Sequence, residues 1–366
     1  MVCIAAFIIL ALISIIVGFL SLFKPSIGKE WWKLFKKAWY CFGKKVRLQK
    51  CDTNFQDDVK HAILKKVALK HPTWIKPLST IIEVLSVIIV IIFAWAIIVA
   101  IKSLLALWVL GTCNVTTPSQ CGLGAEACSI DQGEPTNPVE FVQYKIGEWG
   151  QIFEAIPDRL KEWKVEDYLP TPAIISSHDL DDSVPLALDI VDPGCSVCLQ
   201  SYKNQLSSGF FNKYRIAYLI YPIQLPDNEG DKFQNSSLVA RYIYASAFYA
   251  EQKAGNEERF VKLSNEVPEK ILNRIFTESN DEGINYQSYI QNELSEQEAE
   301  ALLQSWLKEY GYSNRRVADL TDFAHSEYIT NYLSEVANIV ENKIHAKSIP
   351  TFIYDGRKHN GLFRAD

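Results

Sequence analysis

Two cysteines separated by two residues are the part of this sequence best suited to chemistry. Cys195 and Cys198 follow a mostly apolar run, residues 185–191, after the turn Asp192-Pro-Gly194, and they open a helical stretch. Two thiols at this spacing can close a small disulfide ring, and a helix N-terminus stabilises a thiolate on the first of them. A strand, a Cys-x-x-Cys and a helix in this order indicate thiol–disulfide redox chemistry.

The expected division of labour follows from the order of the two thiols. Cys195 is the predicted nucleophile, because it lies at the helix start and should be the more exposed of the two. Cys198 would resolve the mixed disulfide that Cys195 forms. The alternatives are a structural Cys195–Cys198 disulfide and half of a zinc site. Zinc usually takes four protein ligands, and the sequence has no second Cys-x-x-Cys, while the remaining cysteines are irregularly spaced.

The charge of the chain is divided unevenly, although its net value is only −6. Residues 24–76 carry 14 Lys and Arg against 4 Asp and Glu, whereas residues 111–366 carry 22 against 38. The acidic balance of the second region argues against nucleic-acid binding. The basic balance of the first region is a topological signal, because positive loops stay in the cytoplasm.

Two apolar segments are long enough to cross a membrane. Residues 2–23 carry no charge over 22 positions, so a helix there would be roughly 33 Å long. Residues 84–101 are also uncharged, and the run stays apolar past Lys102 to Leu110. A cleaved signal peptide is the alternative for the first segment, but no basic residue precedes it and no convincing small-x-small site follows it. The sequence predicts transmembrane helices at 1–23 and 78–110.

The basic loop sets the orientation of the two predicted spans. With residues 24–77 in the cytoplasm, both termini and the acidic region lie outside. Five cysteines then fall where disulfides persist: Cys113, Cys121, Cys128, Cys195 and Cys198. If Cys195 and Cys198 pair, one further bridge among the other three is plausible, with one thiol left over. The sequence does not fix which two pair.

The outer region shows a regular order of predicted elements. Residues 111–138 read as a linker, and 139–168 as an amphipathic helix that Pro157 interrupts. A strand–helix–strand unit should be parallel and right-handed. The predicted core and flanking elements are a short strand at 171–175, a strand at 184–191, a helix at 195–211, a strand at 214–223, helices between 236 and 347 with 257–276 in two pieces around Pro268, a capping box at Ser295, a strand at 349–354 and a last short strand at 362–364.

The outer region resembles the DsbA-like branch of the thioredoxin superfamily. The matching residues are Asp189 six positions before Cys195, the Cys195-Ser-Val-Cys198 motif, the segment Tyr249-Ala-Glu-Gln-Lys-Ala-Gly255 in the helical insertion, and Ile349-Pro350-Thr351. The resemblance covers about residues 170–366. The dipeptide Ser-Val differs from that of strong oxidants and from that of thioredoxin, so the redox direction stays open. The closing helix usual for the fold is absent after the last predicted strand, so either residues 139–168 cover that face or the domain is pared down.

The resemblance implies roles for two further residues. Pro350 would form a cis peptide bond with Ile349 and place a backbone edge beside the cysteines, where a substrate segment can pair as an added strand. Asp189 would be a buried proton acceptor for Cys198, because exchange needs a deprotonated attacking sulfur. The alternatives are a trans turn proline and a strand-end acid that reaches solvent.

These observations lead to one predicted architecture and function. The fold class is α/β, with a thioredoxin-like domain at 170–366, a helical insertion at about 226–347, an outer linker and helix at 111–169, and two transmembrane helices before it. The predicted function is a membrane-anchored, extracytoplasmic thiol–disulfide oxidoreductase that forms or rearranges disulfides in exported proteins through Cys195. Its partners would be cysteine-bearing exported proteins, a redox partner that recycles the thiols, and the lipid membrane; no cofactor or metal is expected. The rival is a non-catalytic, membrane-anchored binding protein with a structural Cys195–Cys198 disulfide.

Overall fold

The computed structural model describes residues 75–121, 127–131, 137–176, 181, 183–226, 229–255 and 257–364, together with six positions between 36 and 47. The chain divides into two compact units, residues 1–101 and 102–366. The predicted span at 1–23 lies outside the described residues, as does most of the basic loop.

The regular elements of the described residues are named here in chain order. The helices are α1 (Ile75–Leu110), α2 (Pro138–Leu160), α3 (Ser196–Ser208), α4 (Ser236–Gln252), α5 (Glu258–Thr277), α6 (Tyr286–Asn292), α7 (Glu296–Glu309), α8 (Asn314–Ala324) and α9 (Glu327–Asn338). The strands are β1 (Cys128–Ser129), β2 (Ile174–Ser176), β3 (Leu186–Val191), β4 (Arg215–Ile220), β5 (Ser348–Ile349), β6 (Thr351–Tyr354) and β7 (Arg357–Asn360). The mixed α/β class that the sequence predicts is therefore confirmed.

Helix α1 coincides with the second predicted span. Within the described residues, Lys76–Leu110 is one helix with the length and composition needed to cross a membrane. Near its end, in the second unit, the Lys102 ammonium is bonded to the buried carboxylate of Glu148 on α2. Thr116 donates a further hydrogen bond of 3.0 Å to Glu148. Lys102 is thus held by a carboxylate on the neighbouring helix, which compensates the charge of both groups.

The main sheet has five strands in the order β2-β4-β3-β6-β7. Strand β3 pairs in parallel with β4 and antiparallel with β6, so Leu188 lies opposite both Ala217 and Ile353. A central strand is covered on both faces, and this explains its almost continuous apolar sequence. The predicted parallel strand–helix–strand unit is confirmed by β3, α3 and β4. Strands β1 and β5 form a separate antiparallel pair.

Helices α4 to α9 lie between β4 and β5, where the helical insertion was predicted. Tyr244 of α4 fixes the insertion to the sheet, since its hydroxyl accepts the Ile220 N–H at 2.7 Å and donates to the Ile220 carbonyl at 3.0 Å. The predicted capping box at Ser295 is present at the start of α7. Helix α6 was not predicted, because its seven residues are too few for a clear periodic pattern.

Two predicted breaks at proline are wrong. Pro268 lies inside the single helix α5, and Pro157 lies inside the last turn of α2. Each proline removes one backbone donor, yet α5 buries Val267, Ile271 and Ile275 in the core, and this continuous packing outweighs the lost hydrogen bond. After α2 the chain turns back, and Trp163, Val165 and Tyr168 join the main core.

The predicted last strand at 362–364 is also wrong. The chain turns at Asp355 and Gly356, both at positive φ, and the final strand is β7. Beyond it the backbone of Phe363 bonds to α3 and not to the sheet. Its N–H donates to Ser201 Oγ at 3.0 Å, and its carbonyl accepts from Asn204 Nδ2 at 2.7 Å. These side-chain partners satisfy the backbone groups that a strand would have satisfied.

Candidate active site

The two cysteines of the motif lie at the junction of β3 and α3. Cys195 is the N-cap of α3, and its N–H donates to the Asp192 carbonyl at 3.1 Å. Its own carbonyl accepts the Leu199 N–H at 3.2 Å, the first bond of the helix. The unpaired N–H groups of this first turn stabilise negative charge on a sulfur at the N-cap. Cys198 lies within the same turn and is the third residue of α3.

Cys195 is bonded to Cys128 and not to Cys198. The two Cα atoms of this disulfide are 6.1 Å apart, and Cys198 is the free thiol. The Cys195–Cys198 bridge that the motif allows is therefore not the one present. The cause is long-range: β1 pairs with β5 so that Cys128 lies opposite Ile349, and this register brings its sulfur to Cys195.

A second disulfide joins Cys113 to Cys121, with Cα atoms 5.4 Å apart. The sequence left open which two of Cys113, Cys121 and Cys128 pair, and the bridge present among them is Cys113–Cys121. The thiol left over is Cys198, because Cys128 is taken by Cys195. The expectation that Cys195 is the more exposed cysteine is wrong, since Cys195 is 0% exposed and Cys198 1% exposed. The Cys195 sulfur is bonded to Cys128 of β1 and lies in the core.

The loop that contains Pro350 lies beside Cys195. The peptide bond between Ile349 and Pro350 is cis, as predicted. The Ile349 carbonyl oxygen is 3.7 Å from Cys195 Sγ. Because Pro350 carries no backbone N–H, pairing along this edge is confined to the residues before it. Strand β5 is thus a short backbone edge that ends next to Cys195 Sγ.

Cys198 is a buried thiol held in its neutral form. Burial raises its pKa well above the ordinary value. A hydrogen bond from the backbone of Asp192 opposes this shift, whereas the carboxylates of Asp192 and Asp189 reinforce it. A thiolate on Cys198 therefore requires that its proton pass to a nearby acceptor during the exchange step.

Asp189 is the predicted acceptor, and it is buried, not solvent-facing. It is 2% exposed, and desolvation raises its pKa to about 7, although a hydrogen bond from Gln205 opposes the shift. The Gln205 amide donates to Oδ2 at 2.9 Å. Within the described part of the chain, Oδ1 has no hydrogen-bond partner. Near neutral pH this carboxyl can therefore be present in either protonation state.

Asp192, which the sequence identifies only as part of a turn, is a buried residue of the site. Its buried carboxylate accepts the Gly194 N–H and the Ile223 N–H, each at 2.7 Å, and is also bonded to Ser236 Oγ. Burial still raises its pKa, to about 6, because desolvation outweighs these bonds. An aspartate between a buried strand and Pro-Gly is the sequence signal that could have identified it. Its carboxylate joins the cysteine loop to the segment after β4 and to the start of α4.

Helix α6 supplies a second unpredicted contact to the cysteine loop. The buried Gln287 amide donates to the Pro193 carbonyl at 2.8 Å and to the Cys195 carbonyl at 3.0 Å. These bonds come from a residue that lies 92 positions after Cys195 in the chain. The helical insertion therefore positions the backbone of Cys195, in addition to covering it.

Gly194 allows this close approach. A Cβ at position 194 would lie 2.6 Å from both Gln291 Nε2 and Ser236 Oγ, and it would collide with Phe233. These neighbours belong to α4, α6 and the loop before α4. Only a residue without a side chain permits the insertion to pack directly on the turn before Cys195.

Comparison with known proteins adds only a likeness in fold. No family model matches the sequence, and no curated protein matches it significantly. The chain is similar to the structure of a thioredoxin-like oxidoreductase from Silicibacter pomeroyi, with 14% identity and a TM-score of 0.34, over 55% of this chain and 92% of that one. It is similar to the thiol-disulfide exchange protein alpha-DsbA2 from Wolbachia pipientis, with 14% identity and a TM-score of 0.34, over 55% and 86%. It is also similar to MdbA, a thiol-disulfide oxidoreductase from Corynebacterium diphtheriae, with 13% identity and a TM-score of 0.34, over 51% and 83%.

The raised pKa of Asp189 predicts a stability that depends on pH. Its folded-state pKa of about 7 lies above the ordinary 3.8, so the folded protein binds a proton that the unfolded chain has released. This contribution to stability is full below about pH 4 and is lost as the pH rises through 7. In Asp189→Asn, which has no charge to bury, the free energy of unfolding relative to wild type should rise by about 2 kcal/mol between pH 5 and pH 8.

Denaturant titrations of the full chain in detergent at the two pH values measure this difference. Asp281→Asn, on an exposed turn, is the control and should show no change between them. An Asp189→Asn difference that stays constant from pH 5 to pH 8 contradicts the buried, partly protonated carboxyl.

A methyl group at Gly194 should separate the insertion from the cysteine loop. We expect Gly194→Ala to lower the free energy of unfolding by about 2–4 kcal/mol, because the backbone and three neighbouring side chains must move. Gly147→Ala is the matched control, since that glycine lies on the exposed face of α2 with open space around it. There the change should stabilise by up to about 1 kcal/mol. Equal effects at both positions would show that the insertion does not bear on the loop.

Proposed function

We propose that this chain is a membrane-anchored thiol–disulfide oxidoreductase whose cysteine centre works outside the cytoplasm. The observation that carries the proposal is the pairing of β1 with β5. An extended segment with a cysteine lies along the edge that ends at Pro350, and its sulfur is bonded to Cys195. A mixed disulfide with a substrate protein needs this same arrangement of an added strand and a joined sulfur.

Each site residue has a defined part in the proposed exchange. Cys195, at the helix N-terminus, forms the mixed disulfide, and the Ile349 edge positions the substrate backbone. Cys198 attacks Cys195 Sγ, so that the Cys195–Cys198 bond forms and the substrate sulfur leaves. Asp189 takes the proton from Cys198 and returns it when the leaving sulfur is protonated. The substrates are exported proteins with cysteines, and a redox partner returns the two thiols to their starting state.

The free, buried thiol of Cys198 supports a resolving role for this residue and argues against a permanent structural disulfide between Cys195 and Cys198. In a staple both sulfurs would be bonded to each other, but Cys198 keeps its thiol. A non-catalytic alternative would have to use Cys128–Cys195 as its structural disulfide. Turnover of that bond, which a structural staple would not show, separates the two functions.

The membrane part of the proposal rests on α1 and on the charge of the chain. Helix α1 is apolar along nearly its whole length, and the acidic cysteine-bearing region follows it. The basic residues before α1 favour a cytoplasmic loop, with both termini outside. Two disulfides in the region after α1 agree with an oxidising compartment.

The exchange reaction predicts which variant accumulates substrate. In a Cys128→Ser background, Cys198→Ala should collect mixed disulfides on Cys195, since the resolving thiol is gone. The matched variant Cys195→Ala in that background should collect at least about tenfold fewer, because its remaining thiol, Cys198, is buried and its raised pKa keeps it protonated. Non-reducing gels of membranes quenched with acid, followed by mass spectrometry of the bands, measure both. If neither variant collects partners while wild-type disulfides resist mild reduction, the structural alternative is correct.

The topology predicts opposite labelling on the two sides of α1. Lys262→Cys places a thiol on a side chain that is 76% exposed in α5. In intact cells, a membrane-impermeant maleimide should label position 262, whereas Cys41 and Cys51 of the basic loop should react only after lysis. The reverse pattern would place the cysteine centre in the cytoplasm and remove exported proteins as its substrates.

A further inference from the structure

The edge that a substrate would use is already occupied by a segment of this chain. Residues 127–131, called the internal strand below, run antiparallel to β5, with Cys128 opposite Ile349 and Ser129 opposite Ser348. The pairing continues at Ile130, whose N–H donates to the Lys347 carbonyl at 3.0 Å. The internal strand therefore has both features of a docked substrate, the backbone ladder and the sulfur bond to Cys195.

The internal strand is also held by a side chain from the insertion. Lys232 donates to the Ser129 carbonyl at 2.7 Å, to Ser129 Oγ at 2.9 Å, and to Asp131 Oδ2 at 3.3 Å. Asp131 accepts the Ser119 N–H at 3.1 Å. Burial raises the pKa of Asp131, but the hydrogen bonds from Ser119 and the charge of Lys232 outweigh it and lower the pKa overall. A charged acid at 131 thus fixes Lys232 over the strand.

We propose that the internal strand is an intramolecular substrate of the Cys195 centre and that Cys128 is a third exchanging thiol. This inference rests on the proposed function of Cys195 and Cys198. It assigns two states to the oxidised chain. In the closed state Cys128 is bonded to Cys195 and the strand fills the docking edge. In the open state Cys195 is bonded to Cys198, Cys128 is a thiol, and the edge is free for an external segment.

The step between the two states needs no added oxidant or reductant. Cys198 gives its proton to the Asp189 carboxylate, and the thiolate attacks Cys195 Sγ. The Cys195–Cys198 bond forms as the Cys128–Cys195 bond breaks, and the electron pair leaves on Cys128 sulfur, which takes the proton. Among Cys128, Cys195 and Cys198, one disulfide and one thiol exist before and after the step, so it is an exchange without net oxidation.

The closed state protects and regulates the centre. Cys195 is wholly buried beneath the internal strand, and the only described edge beside it is paired. An external strand can dock only after Cys128 has left. Because the internal strand is tethered, it returns at a high effective concentration, so external substrates must compete with it. The contacts of Lys232 with the internal strand then set the fraction of molecules in the open state.

The partition between the two disulfides tests the inference. The full chain in detergent is equilibrated in glutathione buffers of different ratio, quenched with acid and alkylated after denaturation. Mass spectrometry of the peptides then gives the ratio of Cys195–Cys198 to Cys128–Cys195. Lys232→Ala should raise this ratio about tenfold, which corresponds to about 1.4 kcal/mol, because charge-assisted bonds to the strand are lost. Lys270→Ala, which removes an exposed lysine paired with Glu266 within α5, is the control and should leave the ratio unchanged.

Two results would overturn the inference. In the first, no Cys195–Cys198 disulfide is found in the wild type at any glutathione ratio at which Cys128–Cys195 is still present. Cys128–Cys195 would then be a structural disulfide that does not exchange. The other is a Lys232→Ala ratio equal to that of Lys270→Ala. Substrate trapping in the Cys128→Ser background is a separate readout: if it succeeds while either result holds, only the internal substrate is refuted. If trapping fails, the proposed function fails, and the inference fails with it.

Discussion

The buried carboxylate of Asp192 is the interaction on which the position of the cysteine centre depends. It joins the turn before Cys195, the loop after β4 at Ile223 and the start of α4 at Ser236. Hydrogen bonds to a charged acceptor contribute about 1.5–3 kcal/mol each, which offsets only part of the several kcal/mol that burial of the carboxylate costs, since its pKa stays raised. The sheet, the nucleophile and the helical insertion are thereby fixed to one another through a single side chain.

The same burial limits how much negative charge the site can hold. Asp189, Asp192 and Cys198 lie in one region from which water is excluded, and each raised pKa reflects that desolvation. A thiolate on Cys198 beside two ionised carboxylates would be strongly disfavoured, because like charges in a low dielectric repel. Proton transfer to Asp189 keeps the total charge constant while the thiolate forms. In the exchange proposed for this site, the raised pKa of Asp189 and the neutral thiol of Cys198 would therefore act together.

The parts of the site that the sequence predicts are those that depend on local patterns. Strand β3, helix α3 and strand β4 follow from apolar runs and turn residues within a stretch of about 35 positions. Cys128 and Gln287 could not be predicted, since they reach Cys195 from 67 and 92 positions away. The sequence pattern around Asp192 could have identified it as a buried acid. Its three hydrogen-bond partners could not be predicted, because they lie on separate elements. The breaks predicted at Pro157 and Pro268 are absent, because packing of a helix face outweighs the local effect of a proline.

The backbone ladder on β5 cannot by itself distinguish the internal strand from a foreign one. Main-chain hydrogen bonds are the same for any extended segment, and the ladder is short because Pro350 ends it. Discrimination must therefore come from side chains. Lys232 recognises the carboxylate of Asp131, three residues after Cys128, together with the serine that follows the cysteine. A foreign segment with an acid three residues after its cysteine would satisfy Lys232 in the same way, whereas one with a basic residue there would repel it.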